Sequence, residues 1–476
     1  MSKKNRNASP MDLDGTMPLL NALPLGIQHV LAMFVGNLLP LILVTTACGI
    51  AAGNPELLGI LLQNAMITAG IGTLIQIYGL GPIGGRLPIV MGTSSGFIGV
   101  TRGAAATIGG ITGYGAVLGA GLIGGIFEMV LGFFLKPLRK FFPSVVTGTV
   151  VLSIGLSLIL VGVNSFAGGA GKPDFGSLEN LFVGFIVMCI IIGIKHWTKG
   201  FLSYSSILVG IIVGYILVSS MGMIIDTTST YIDKSGAVVN YTKSWVLDWS
   251  RVASAKWFSL PKLFPVKYVF DLRAIIPIGV MFIVTAVETI GDTSGITEGG
   301  LGREATDKEL SGAVLCDGFN SAIASAFGVL PHTSFSQNVG LIGMTKVVNR
   351  FAISTGGVFL ILCGLFPKLA ALIGAMPQSV LGGAAIIIFA SIILSGIGLI
   401  SKDGLTSRKI TIVSVALGLG FGLGSNTNAL NQMPELVRLV FGGSGIVPAA
   451  ALAIILNIVL PKESVDEDSN NKKEAI

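Results

Sequence analysis

Stretches of about twenty near-continuous apolar residues recur along the chain, each long enough to cross the ~30 Å hydrocarbon core of a bilayer as a helix. They run near 25–45, 57–79, 114–135, 144–164, 178–195, 205–225, 273–292, 308–327, 351–367, 379–400, 409–425 and 443–460. In lipid a chain must satisfy every backbone N–H and C=O from within, which leaves helices or closed barrels. Runs of this length select helices. Charge agrees: Asp, Glu, Lys and Arg make up 11% of the 476 residues, where a soluble protein has roughly a quarter. The mean hydropathy is +0.83. The 66 glycines fit as well, because small residues let membrane helices approach closely and break. The expected class is an all-α integral membrane protein.

Two further segments, 87–102 and 332–345, are too short or too polar for full spans. Both follow a proline (Pro88, Pro331) and both are rich in Gly, Ser and Thr. With them the crossings number fourteen, and the broken pair falls third and tenth, at matching places in two seven-span halves. Seven is odd, so the second half is inverted, and paired interrupted segments mark a transporter's binding site. The expected organisation is a cytoplasmic tail (1–23), a first seven-span repeat (24–225), an extracellular loop (226–272), a second repeat (273–460) and a cytoplasmic tail (461–476). Basic residues support it, since the side assigned to the cytoplasm collects Lys3, Lys4, Arg6, Arg86, Lys136, Arg139, Lys140, Arg303, Lys346, Arg350, Lys402, Lys462, Lys472 and Lys473. The outer side keeps Arg102, Lys172, Lys368 and Arg438 besides those of the long loop. Trp245, Trp249 and Trp257 in that loop suit either an interfacial amphipathic stretch or a loosely packed cap. The first twenty residues lack the apolar core and cleavage site of a signal peptide.

The net charge of +6 is scattered over loops and forms no patch, which argues against nucleic acid. The four cysteines show no CxxC spacing, so neither a metal nor a cofactor is expected. HExxH and GxSxG are missing, and Gly171-Lys172 lacks the upstream glycine of a phosphate loop, so the chain does not read as an enzyme.

Ionisable groups inside a membrane are costly and therefore functional candidates. Glu288 and Asp292 share one face of the span 273–292 at i,i+4 spacing, with Thr285 and Thr289 extending the stripe. A carboxyl group there can accept hydrogen bonds from substrate N–H groups and can also carry a proton. Asp317 and Asn320 lie i,i+3 on the next span and suit either substrate contact or hydrogen bonding to the broken tenth segment. Glu128 reads as a buried acid facing the protein interior. His29 either joins a proton relay or packs as a satisfied histidine. In the tenth segment an extended stretch, His332 to Ser336, leads into a half-helix whose first N–H groups are unpaired and suit carbonyl oxygens. Gln337 and Asn338 offer donors and acceptors for a heterocyclic amide edge. Ser94 and Ser95 in the third segment can do the same from the opposite side.

The stretch Gln337-Asn338-x-Gly340-x4-Thr345-Lys346 resembles the signature of the nucleobase–ascorbate transporters, also called nucleobase:cation symporter-2 proteins. Val287–Asp292 (VETIGD), Ile27–Phe34 (IQHVLAMF), Gly92–Ser95 (GTSS) and Val380–Gly383 (VLGG) resemble further landmarks of that family. The resemblance implies fourteen crossings in two inverted repeats, with short strands in broken segments 3 and 10. It implies a core domain (spans 1–4 and 8–11), a gate domain (spans 5–7 and 12–14) and a homodimer. By resemblance Glu288 is the central substrate-binding and proton-linked acid, and Gln337 is its partner on the base. Ser336 and Ser95 add backbone contacts. Asn338, Gly340, Thr345, Asp292 and Asp317 match positions tied to affinity, specificity or architecture. Glutamine at 337 resembles the xanthine and uric acid branch, whereas uracil carriers tend to have glutamate. Ser95 stands where many relatives carry an aromatic that stacks on the base.

The expected function is a proton-coupled symporter that imports a purine nucleobase, xanthine or uric acid, through the plasma membrane. Sodium is the alternative coupling ion, and uracil or another base the alternative cargo. A sulfate- or bicarbonate-type carrier of the same fold fits less well, because its anion would be repelled by Glu288. A channel is disfavoured by the absence of a filter-like repeat.

Overall fold

The computed structural model describes residues 8–134, 143–199, 201–232, 238–402, 404–434, 437, 441 and 445–461. Lys3, Lys4, Arg6, Lys136, Arg139, Lys140, Arg438, Lys462, Lys472, Lys473 and the tail after Pro461 lie outside the described residues.

The apolar runs fold as helices. Helices α1 (Leu19–Ala47) and α2 (Pro55–Tyr78) lead into a broken segment made of strand β1 (Met91–Thr93), a 3₁₀ turn (Ser95–Phe97) and half-helix α3 (Ile98–Ile108). Helices α4 (Gly110–Phe133), α5 (Ser144–Phe166), α6 (Leu178–Trp197) and α7 (Ser206–Ile224) complete the first half. A connection carrying the hairpin of β2 (Thr228–Ile232) and β3 (Val238–Thr242) precedes α8 (Leu272–Leu301) and α9 (Asp307–Ala326). The second broken segment is β4 (His332–Ser334) with half-helix α10 (Ser336–Thr345), followed by α11 (Arg350–Gly364), α12 (Gln378–Ser401), α13 (Ser407–Val415) and α14 (Ile446–Val459). Among the described residues eight helices are long and apolar enough to cross a bilayer, or nine if α11 and Pro367–Gly374, bent by 84°, form one span.

The helices pack in two groups. In one, α4 lies along α9, α2 along α11 and α1 along α11; in the other, α5 lies along α12, with α6 and α7 beside them. Helix α8 packs on α4 and α9 and also touches α5, so it stands where the groups meet. Glycines permit the closest crossings. A Cβ on Gly396 of α12 would lie 2.5 Å from the backbone nitrogen of Leu152 on α5.

Four features depart from the sequence expectations. Helix α8 continues to Leu301, past the expected end at 292, because Thr293, Ile296 and Thr297 are buried by protein and need no apolar side chain to meet lipid. Trp245 is fully buried, not interfacial; only Trp249 and Trp257 remain exposed, and Lys368 stands 5.0 Å from the Trp257 ring. The connection is neither purely helical nor loose: Gln63 donates to the Ser259 carbonyl (2.7 Å) and Asn64 to the Lys262 carbonyl (2.9 Å). Finally, residues 8–17 dock instead of trailing. The backbone N–H groups of Val348 and Asn349 donate to the Pro10 carbonyl, the Asn349 amide donates to the Asp12 carbonyl (2.9 Å), and Arg350 pairs with Asp14.

Gly396→Leu should destabilise the protein by about 3 kcal/mol or more by forcing α5 and α12 apart. A fall in the midpoint of thermal unfolding in detergent checks it. Gly398→Leu, where a Cβ meets nothing within 4 Å, should leave the midpoint unchanged.

Candidate functional site

The two broken segments meet in the middle of the fold. Strands β1 and β4 pair antiparallel with Met91 opposite Ser334, Gly92 opposite Thr333 and Thr93 opposite His332. Ser94 N–H donates to the Pro331 carbonyl (2.9 Å) and Phe335 N–H to the Val90 carbonyl (3.0 Å), extending the ladder at both ends. This pairing satisfies backbone that neither helix nor water would satisfy at this depth. Because the strands are antiparallel, α3 and α10 leave the crossing in opposite directions, each with its N-terminus at the crossing. Neither start is capped by a side chain: Ser94 (ψ 125°), before the 3₁₀ turn that leads into α3, and Phe335 (ψ 107°), before α10, are extended, and no side-chain oxygen accepts from the first N–H groups. Two helix starts with free N–H groups and positive dipole ends therefore converge on one place.

The crossing is held by side chains on three helices. Asn37 of α1 accepts the Thr93 N–H (2.8 Å), and Gly92 allows Met33 and Phe335 to close over the strand. His332 is bound at both ring nitrogens: the Asn320 amide donates to Nδ1 (2.8 Å), which leaves Nε2–H for the Thr68 hydroxyl (3.3 Å). Ser321 bonds the His332 backbone at both N–H (3.0 Å) and carbonyl (3.1 Å).

Helix α8 crosses this frame with its polar stripe inward. Thr285, Glu288, Thr289 and Asp292 are all buried. Asp292 Oδ2 accepts the Ser334 hydroxyl (2.7 Å). Asp317 Oδ2 accepts hydrogen bonds from Thr333 (3.2 Å) and from Thr289. Glu288 is 7% exposed, and its Oε2, like Asp317 Oδ1, has no partner among the described residues. The hydroxyls of Ser94 and Ser336 are likewise buried; that of Ser94 has no partner, and that of Ser336 lies within reach of the Asp292 carboxylate. Polar groups this deep are normally hydrogen-bonded, so Glu288 and Ser94 mark a place built to receive polar atoms. Gly291 approaches Thr147 of α5, and Gly96 approaches Met281 of α8 and Ile154 of α5. The site thus lies on the boundary between the two helix groups.

The sequence-predicted residues divide by position. Glu288, Asp292, Ser94, Ser95 and Ser336 gather at the crossing, with Gln337 in the first turn of α10, half-exposed and without a side-chain partner among the described residues. Asp317 braces β4 from behind. His29 lies apart: its Nδ1 and its carbonyl both accept from the Asn338 amide (3.1 and 3.0 Å), tying α1 to α10. Gly340 is exposed, and the Thr345 hydroxyl bonds its own helix at the Leu341 carbonyl (2.8 Å). Two clefts elsewhere do not include Glu288. One of about 630 Å³ lies between α2 and the 254–262 stretch, and an apolar one of about 260 Å³ lies between α1 and α7.

Sequence reading missed His332, Asn37 and Thr68 as the frame of the crossing. A histidine, an asparagine and a threonine at midspan were the available signal, since each must find a partner there.

A family model described as "Permease family" matches residues 20–427. The putative purine permease CPE0397 of Clostridium perfringens is 34% identical, covering 99% of this chain and 98% of the relative. The uric acid permease PucK of Bacillus subtilis is 34% identical over 92% of this chain and 95% of its own length. The xanthine permease of the same organism is 34% identical over 92% and 93%. Among solved structures, the transmembrane domain of the cyanobacterial bicarbonate transporter BicA matches with a TM-score of 0.51 at 15% identity, covering 93% of this chain and 98% of that one. At that identity the likeness speaks for the fold alone.

His332→Leu should cost about 1–3 kcal/mol, because it leaves the Asn320 amide and the Thr68 hydroxyl without their ring partner. Thermal unfolding of the purified variant measures this, and an unchanged midpoint would mean that the crossing does not depend on the ring.

Proposed function

This chain belongs to the nucleobase–ascorbate transporter family, and on that footing we propose that it imports a purine nucleobase, xanthine or uric acid, as a proton-coupled symporter. It is a multi-pass membrane permease, not an enzyme. Relatives named for xanthine and for uric acid, matched over nearly their whole length, support nucleobase transport. The observation that carries the reading is Glu288, a buried acid with an unpaired oxygen, set on α8 between Thr285 and Asp292 where that helix bonds the crossing through Thr289 and Asp292.

Each part of the site suits one part of a purine dione. Ring N–H groups pair with the Glu288 carboxyl group. Carbonyl oxygens face the N–H groups at Ser95 and Ser336, where the helix dipoles favour partial negative charge. The Gln337 amide completes the base edge with one donor and one acceptor. A bare carboxylate at this depth costs several kcal/mol, so Glu288 needs either a cation or a proton when it moves. No described ion pair involves it. Proton and base bind from outside, and the neutralised site lowers the cost of transit. The core group of helices then shifts against the gate group in an elevator-like step, and the proton leaves on the cytoplasmic side. Fourteen crossings, both termini in the cytoplasm, the plasma membrane and a homodimer complete the proposal. An anion carrier of the same fold is disfavoured by Glu288, which would repel its cargo.

A competition panel tests cargo and ion together: uptake of labelled xanthine in cells, challenged with each base, with and without a proton uncoupler and with sodium removed. Glu288→Gln should abolish uphill uptake at normal surface abundance, and unchanged accumulation of xanthine or urate in that variant would refute the assignment. Gln337→Glu should weaken purine uptake more than it lowers surface abundance; equal losses would make Gln337 structural.

A further inference from the structure

Glu128 takes no part in the site as described, yet it is placed against it. It lies on α4 with no exposed surface, and its Oε1 accepts the Thr285 hydroxyl (3.1 Å). Thr285 precedes Glu288 by three residues on α8, so the two occupy neighbouring positions of one face. On the other side of Glu288, Thr289 donates to Asp317 on α9. The acid-bearing stretch of α8 is therefore gripped twice, by two buried carboxyl groups from two other helices.

Those two carboxyl groups stand at one level. Helices α4 and α9 cross with their backbones in contact: a Cβ on Gly125 would lie 2.6 Å from the Gly318 carbonyl, and one on Gly132 would lie 3.0 Å from the Leu315 nitrogen. These contacts bracket Glu128 on α4 and Asp317 on α9. Each acid keeps one oxygen that is buried and has no partner, Oε2 of Glu128 and Oδ1 of Asp317. Among the described residues no ion pair involves either. From α8, Glu128 faces Glu288 through Thr285; from α9 it faces Asp317 and the Cys316 thiol; α3, also packed on α4, presents no group that acts on it.

Two bare carboxylates at this depth would repel each other, and two unpaired oxygens would each bear a desolvation cost. One hydrogen removes both difficulties. We propose that Glu128 and Asp317 hold one resident proton between their free oxygens, and that this pair positions α8 so that Glu288 points into the crossing. The resident proton does not travel, since both residues have no exposed surface while Glu288 does. Glu128 is thus a positioning residue that acts through Thr285, and its effect on uptake rests on the transport reading above.

The test uses the full chain in proteoliposomes, read by exchange of labelled xanthine, by its pH profile and by infrared absorption of protonated carboxyl groups. Glu128→Gln keeps the shape, because its amide accepts from Thr285 and donates to Asp317. It should retain exchange within about threefold of the parent, keep the same pH profile and lose one protonated-carboxyl band. Glu128→Leu keeps neither bond and strands Asp317, so exchange should fall at least roughly tenfold at equal protein abundance. Three results would overturn the proposal: normal exchange in Glu128→Leu, loss of uphill uptake in Glu128→Gln, or survival of the band in Glu128→Gln. Absence of xanthine exchange in the parent protein would instead sink the transport reading. The infrared comparison needs no substrate and judges the proton pair separately, even if Glu128→Leu does not fold.

Discussion

A carboxyl group deep in a membrane protein, with no cation beside it, must be stabilised by something that is itself scarce there. Water is excluded, and full-length helices spend their N–H groups on their own carbonyls. The donors left are hydroxyls and the first turns of helices, and this chain supplies both. Thr289, Thr333 and Ser334 serve Asp317 and Asp292, while Glu288 Oε2 is left without a partner among the described residues. The rest of the architecture follows from that need. Interrupting a helix at midspan is the way to bring its N-terminus to the centre, and two interruptions bring two.

Interrupted helices leave backbone unpaired, and the structure settles this by setting the two breaks against each other. The short antiparallel pairing of β1 with β4 consumes the exposed N–H and C=O groups that lipid could not tolerate. The pairing needs an exact fit of neighbours, which explains the polar residues around it. Asn37, Thr68, Asn320 and Ser321 each bond the strands or His332. Glycine supplies the remaining condition: α4 meets α9, and α5 meets α12, at backbone contact. One group of helices thus forms a frame around the crossing, and the other presents α5 to it. Because α8 carries the acids and touches both groups, a relative shift of the groups would act directly on the surroundings of Glu288.

Much of this was legible in the chain. Helix positions followed from the apolar runs, the two breaks from Pro88 and Pro331 with their polar sequels, and the acids of α8 from their rarity in such a setting. The breaks were read as places for substrate, and the buried hydroxyls of Ser94 and Ser336 lie there. The buried Trp245, the docked stretch 8–17 and the length of α8 were not legible. Each depends on burial by protein where composition alone suggested water, interface or lipid. Thr293 and Thr297 look like the end of a span, yet both are buried within the fold.

By itself, the sequence determined which segments leave water and where those segments must break. The cost of a charge or an unpaired amide in lipid is a property of the residues themselves, independent of their neighbours. Which acids keep a free oxygen, which hydroxyls reach them, and that Glu128 and Asp317 stand at one level on different helices were decided only by tertiary structure. Hydrogen bonds between groups far apart in the chain, such as Glu128 with Thr285, depend on helix crossing and rotation. Local periodicity does not encode either one.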